Sequence, residues 1–195
     1  EYMAANGAEP GDVKFANLDG SEDGKITADD RTILGYKKEN FRMSFGNTFR
    51  YKDFELYMLF TGIFGGNGYG QAVNYYAFRT SSDVQGDNNF NHGWWTPENK
   101  SNKYPRINYT DGRYTPLQGY GFVRLQDLSL SYTFRQPWVQ KAGIGNLKVY
   151  MACKNLFTIS GWEGGDPEVQ QTLGSGYTYG YPLSRTVSFG LNLTF

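Results

Sequence analysis

Arg185-Thr186-Val187-Ser188-Phe189-Gly190-Leu191-Asn192-Leu193-Thr194-Phe195 is the stretch on which the fold turns. After the arginine, Val187, Phe189, Leu191, Leu193 and Phe195 share one parity, and Thr186, Ser188, Gly190, Asn192 and Thr194 share the other. Unbroken period-two alternation calls for an extended strand, because successive side chains leave a pleated backbone on opposite sides. Phe41 to Tyr51 repeats the pattern. Phe41, Met43, Phe45, Phe49 and Tyr51 share a face that only Asn47 interrupts, against Arg42, Ser44, Gly46, Thr48 and Arg50. Phe54–Phe64, Leu128–Phe134 and Leu147–Ile159 read as three more strands, with Tyr57, Leu59 and Ile63 blurring the polar side of the first. Upstream of Leu128 the parity slips, since Val123 and Leu125 carry odd numbers, and this predicts a bulge.

The connectors alternate in length. Tyr51 to Asp53 is a tight turn, and Gly65 to Tyr120 is very long. Arg135 to Gly145 is short, with room for one helical turn that starts at Pro137 and stops at Gly143, and Ser160 to Ser184 is long again. Short turns at one end and long loops at the other are the habit of a transmembrane β-barrel. Aromatics near the strand ends (Phe41, Tyr51, Phe134, Phe195) fit an interfacial girdle, and the Ser, Thr, Gly, Asn and Arg of the other face fit a wet lumen. The expected fold is all-β: an antiparallel transmembrane barrel, of which residues 41–195 supply about five strands and residues 1–40 an outside loop region. Five strands cannot close a barrel, since the smallest use about eight, and an open edge in lipid leaves backbone groups unpaired. The chain is therefore expected to be the C-terminal part of a longer one. A secreted, soluble, calcium-stabilised β-sandwich that binds glycans is the competing expectation, because sandwich strands also alternate.

Composition removes other classes. The 195 residues carry 19 basic and 19 acidic side chains, and no basic block exists to bind nucleic acid. One cysteine, Cys153, excludes an internal disulfide framework, and one histidine, His92, excludes a two-histidine zinc site. No apolar run is long enough for a membrane helix, and the start has no signal-peptide pattern.

Asp19-Gly20-Ser21-Glu22-Asp23-Gly24-Lys25-Ile26-Thr27-Ala28-Asp29-Asp30 has the spacing of a calcium loop. Asp19, Ser21, Asp23, the Lys25 carbonyl, Thr27 and Asp30 take the ligand positions, and Gly24 takes the sharp turn. Asp30 is shorter than the chelating glutamate usual at the last position, so calcium affinity is expected to be modest, and the same residues also make an ordinary polar turn. Trp94 and Trp95, next to His92 and followed by Thr96-Pro97-Glu98-Asn99, offer aromatic surface for a sugar ring. The plainer reading, which we favour, is that they form the small core that a long ordered loop needs. Asp166-Pro167-Glu168 reads as a proline turn, and Cys153 as a small side chain on an apolar face. No enzyme constellation emerges.

Several stretches together resemble the C-terminal portion of SusC/RagA-type TonB-dependent outer-membrane transporters of Bacteroidetes. They are Gly11-Asp12-Val13-Lys14-Phe15, Asp23-Gly24-Lys25-Ile26, Trp95-Thr96-Pro97-Glu98-Asn99, Lys103-Tyr104-Pro105-Arg106, Val123-Arg124-Leu125-Gln126-Asp127-Leu128, Asn155-Leu156-Phe157, Gly165-Asp166-Pro167-Glu168 and Tyr181-Pro182-Leu183-Ser184-Arg185. The acidic loop departs from the family pattern by an apparent two-residue extension. The resemblance implies a 22-stranded barrel with an N-terminal plug, located in the cell outer membrane. It also implies import of oligosaccharides or peptides driven by TonB, with a SusD-like surface lipoprotein over the mouth. This chain would contribute about the last five strands, with Phe195 and its strand as an assembly signal. The plug, the TonB contact and the other strands would lie in the rest of the transporter.

Overall fold

A computed structural model describes residues 1–69, 93–106, 109, 117–162, 166–168 and 182–195. It contains strands β1 (Phe41–Tyr51), β2 (Phe54–Phe64), β3 (Asn67–Tyr69), β4 (Leu117–Gly119), β5 (Phe122–Phe134), β6 (Asn146–Ser160) and β7 (Thr186–Thr194). The five long strands form one antiparallel sheet in the order β1-β2-β5-β6-β7, and β3 pairs with β4 in a ribbon of its own. Each long strand thus lies beside the long strand next to it in sequence. An eleven-residue strand such as β1 spans roughly 26 Å of height at a tilt of about 40°, close to the apolar band of an outer-membrane barrel.

Register converts the alternation into two surfaces. Tyr51, Phe54, Tyr132, Val149 and Leu191 stand opposite one another across all five strands. So do Phe49, Leu56, Leu130, Met151 and Phe189, and then Asn47, Met58, Leu128, Cys153 and Val187. The reverse face carries Arg50, Glu55, Ser131, Tyr150 and Gly190 in one row and Thr48, Tyr57, Ser129, Ala152 and Ser188 in the next. Among the described residues no second sheet covers the apolar face: Phe45 is 53% exposed, Leu191 66% and Phe189 78%. A β-sandwich would bury that face against an opposing layer, and the five long strands form a single sheet with none among the described residues.

The parity slip is a bulge. Gln126 has no register partner in β2 or β6, and Asn155 and Leu156 of β6 have none in β5. Asn155 takes a left-handed φ of 51°. Because one residue is skipped, Val123 and Leu125 join Leu128 and Leu130 on the apolar face. Lys52, the first residue of the β1–β2 turn, has φ 53°, the positive value that a two-residue hairpin needs to match strand twist. The β5–β6 connection holds the expected helical turn, Pro137–Lys141, with proline at its start and Gly143 at φ 73° beyond its end. Rings gather at this end of the sheet: Phe54 to Tyr132 at 4.6 Å, Tyr132 to Phe134 at 4.7 Å, and Phe134 to Trp138 at 5.9 Å between centroids. Phe41 stacks on Phe64 at 4.7 Å at the other end. There Ile63, which interrupts the polar side of β2, is buried with Tyr120, Phe122 and Trp162.

The chain divides into two compact units, Glu1–Tyr36 with Tyr69–Gln118, and Lys37–Gly68 with Gly119–Phe195. The sequence reading set residues 1–40 apart from residues 41–195. The long β2–β5 connection, however, groups with the N-terminal segment, because Arg106 bridges to Asp12 and Glu9 and Trp95 packs on Gly11.

Val187 sits in a row at mid-height of the sheet, pointing to the apolar face, and Ser188 points the other way. Val187→Arg is expected to destabilise the full-length protein in lipid vesicles by about 2–4 kcal/mol and Ser188→Arg by far less, measured by urea unfolding. Equal losses would refute the assignment of faces.

Candidate functional site

The acidic loop is held by its own side chains. Asp19 Oδ1 accepts the Ser21 N–H at 2.8 Å, and Asp23 Oδ1 accepts that of Lys25 at 3.0 Å. Thr27 Oγ1 accepts the Asp29 N–H at 3.2 Å, and Gly24 makes the turn at φ 65°. Asp30, buried, receives three backbone donors: Leu18 N–H at 2.6 Å and Asp19 N–H at 3.1 Å on Oδ1, and Thr27 N–H at 2.8 Å on Oδ2. Asn6 braces the loop from outside, donating to the Gly24 carbonyl at 2.9 Å and accepting the Ile26 N–H at 2.8 Å. The Asp30 carboxyl is held below its ordinary pKa, first by the Thr27 N–H and then by those of Leu18 and Asp19. Asp23 is likewise lowered, chiefly by the Lys25 N–H.

The six calcium positions therefore follow one another round a single turn, but their carboxylates bind backbone donors. Among the described residues no three of His, Cys, Asp or Glu gather as a metal cage. As arranged, the carboxylates serve the loop's own N–H groups.

A depressed carboxyl pKa contributes stability above the unfolded value, near about 4, and that stability is lost as pH falls through the lower folded value. Asp30→Asn should therefore lower the melting temperature at pH 7. The gap to the parent should narrow as pH falls below about 4; a gap independent of pH would separate Asp30 from the loop's stability.

Trp95 and Trp94 part company. The ring of Trp95 lies on Gly11, whose φ is 93° and where an added Cβ would collide with it. Trp95 also lines a cleft of about 340 Å³ with Gly11–Lys14 and Ser101–Pro105. Trp94 does not line it and is 36% exposed; its carbonyl accepts the Asn99 amide at 3.1 Å. Among the described residues, the contact with Gly11 is made by Trp95. His92 lies outside the described residues.

The cluster that sequence reasoning missed is on the polar face. Arg124 of β5 is only 2% exposed. Its Nε donates to Thr158 Oγ1 at 2.9 Å, one Nη donates to Asp166 at 2.7 Å, and the other donates to Glu168. The guanidinium lies 4.9 Å from the centre of the Phe122 ring. Asp166 also accepts the N–H groups of Glu168 at 3.0 Å and Leu183 at 3.3 Å. Asp166 and Glu168, read as a proline turn, tie the β6–β7 connection to the wall. The only signal in the sequence was an arginine in a strand and two carboxylates 42 and 44 residues later, and nothing local connects them.

Asp166 is nearly buried whereas Glu168 is 45% exposed, so the Asp166 half of the fork contributes most. Arg124→Leu strands a buried carboxylate and is expected to cost about 3–5 kcal/mol, with part regained when Asp166→Asn is added. Urea unfolding of both variants checks this; a double variant no better than the single would refute the pairing.

A sheet with one uncovered apolar face, short turns at one end and long connections at the other is a wall segment of the kind that β-barrels use. No family model matches the chain. It is 31% identical over 199 residues to TonB-dependent receptor P3 of Formosa agariphila, a match covering 96% of this chain and 19% of the relative. TonB-dependent receptor P26 of the same organism is 28% identical over 198 residues, covering 95% of this chain and 20% of the relative. The TonB-dependent receptor SusC of Bacteroides thetaiotaomicron is 34% identical over 76 residues, covering 38% of this chain and 7% of SusC. Among solved structures, the RagAB peptide importer in its open-open state superposes with a TM-score of 0.64 at 22% identity, over 92% of this chain and 20% of that one. The chain belongs with the SusC/RagA-type TonB-dependent receptors, and it spans about a fifth of the length of the receptors it matches along nearly its whole sequence.

Proposed function

We propose that this chain forms part of the barrel wall, with its loops, of an outer-membrane TonB-dependent transporter that imports oligosaccharides or peptides together with a SusD-like surface lipoprotein. The observation that carries the reading is the uncovered apolar face, continuous in rows across five strands. A surface of that extent is stable against hydrocarbon and not against water. The reverse face, with Arg50, Glu55, Lys148 and Arg124, suits a lumen. The names of the relatives, TonB-dependent receptor SusC and the RagAB peptide importer, support the transport class. Relatives that are receptors and importers also favour a role without catalysis.

Orientation is the part most open to direct test. The tight turn at Lys52 is assigned to the periplasm and the connection carrying Glu98 to the outside. With Lys52→Cys and Glu98→Cys placed separately in the full-length receptor, freed of other accessible thiols, a membrane-impermeant maleimide should label the Glu98 variant in intact cells. It should reach the Lys52 variant only after the outer membrane is opened. Labelling of both, or the reverse order, would overturn the reading. Cys153 is buried and should stay silent.

Calcium at Asp19, Ser21, Asp23, Lys25, Thr27 and Asp30 is proposed as a brace of the same loop, on the support of spacing and the Gly24 turn. It requires Asp30 to exchange backbone donors for the ion. A melting temperature raised by millimolar calcium and restored by EDTA supports it, and an unchanged one removes calcium from the account.

A further inference from the structure

We infer that the short-turn end of the sheet is a docking surface for an anionic glycerophospholipid, its acyl chains on the apolar rows and its phosphate drawn to Lys52 and Lys141. The inference rests on the reading of the apolar face as the one that meets hydrocarbon, and not on the orientation of the chain. The apolar rows end here in rings. Tyr51 is 71% exposed, Phe54 50% and Trp138 51%. Large, half-covered aromatics at the margin of an apolar surface suit the depth at which headgroups begin. Trp138 meets Phe134 edge-on at 5.9 Å, and Phe134 shares the apolar face with Leu147 and Leu193 across β5, β6 and β7. The helical turn Pro137–Lys141 therefore rests against that side. Lys141, one turn beyond Trp138, shares its flank of the helix.

The Lys52 ammonium lies 5.4 Å from the centre of the Tyr51 ring, which is itself part of the apolar surface, so the cation stands at the rim of that surface. Its turn is fixed: Lys52 has φ 53°, and the Asp53 carbonyl accepts the Thr133 N–H at 2.9 Å. The two connections at this end, residues 52–53 and 135–145, are described in full and carry three cations against one carboxylate. That carboxylate, Asp53, is taken by Arg135 Nε at 3.1 Å. Among the described residues neither Lys52 nor Lys141 is in an ion pair. Glu55, on the polar face, is engaged by Arg50 at 2.6 Å and Lys148 at 3.4 Å. Two ammonium groups are thus left without a counterion where the apolar rows stop. An anionic headgroup supplies one at the depth where they stand, and its acyl chains continue along the rows. A choline headgroup carries its own cation and forgoes most of that attraction. An acidic peptide or a free phosphate ester brings nothing to cover Tyr51, Phe54 and Trp138.

The test uses the full-length receptor reconstituted in phosphatidylcholine bilayers, with phosphatidylglycerol brominated in its acyl chains as the probe. Bromine quenches tryptophan on contact, and the part of the emission lost in Trp138→Phe reports this site. Brominated phosphatidylglycerol should quench that part at a lower mole fraction than brominated phosphatidylcholine does, and high salt should narrow the difference. Lys52→Gln and Lys141→Gln should each weaken the preference about fivefold, while Lys52→Arg and Lys141→Arg keep it. Lys52→Gln and Lys141→Gln matching the parent, or a preference abolished by soluble glycerol phosphate, would overturn the proposal. Equal quenching by the two lipids would overturn it too and leave the wall reading standing. Quenching by neither would put Trp138 away from hydrocarbon and sink both.

Discussion

The wall described here depends on one constraint: an apolar surface five strands wide that the described residues do not cover. Covering it with water would expose Phe45, Phe189 and Leu191 together with their whole rows, which is unfavourable in proportion to area. Hydrocarbon removes that cost but tolerates no unpaired backbone, so each strand must find a partner on both sides. Inside the sheet that demand is met by an antiparallel register unbroken except at the bulge. At β1 and β7 the outer edge has no partner strand among the described residues.

Polar chemistry is then confined to the other face and to the loops. Arg124 shows how. An arginine buried on the polar face needs its donors satisfied, and Thr158, Asp166 and Glu168 satisfy them from a neighbouring strand and a connection. Burial makes the network consequential, because a charge that loses its partner there is not rescued by water. The acidic loop is different: its carboxylates stiffen a turn through short-range bonds to N–H groups nearby in sequence.

Much of the wall was legible in advance because alternation is a local property. The parity of Val187 to Phe195 announces a strand and its two faces without knowledge of its neighbours. The slip between Leu125 and Leu128 announced the bulge, and Pro137 and Gly143 announced the helical turn, since each rests on backbone preferences within a few residues. The resemblance carried by the motifs of the loops and strands agreed with the relatives found. The grouping of residues 69–118 with the N-terminal segment was not legible, because it depends on Arg106 meeting Asp12 across 94 positions.

By itself, then, the sequence determined which segments extend, which of their faces are apolar, and where the short and long connections fall, since steric and hydrophobic periodicity act along the chain. Only the tertiary structure decided that Trp95 and not Trp94 lines a cleft, that Asp30 serves backbone donors, and that Arg124 is clamped by Asp166 and Glu168. Those facts are matters of distance between residues far apart in sequence, or of which partner wins a carboxylate, and composition and spacing leave both open.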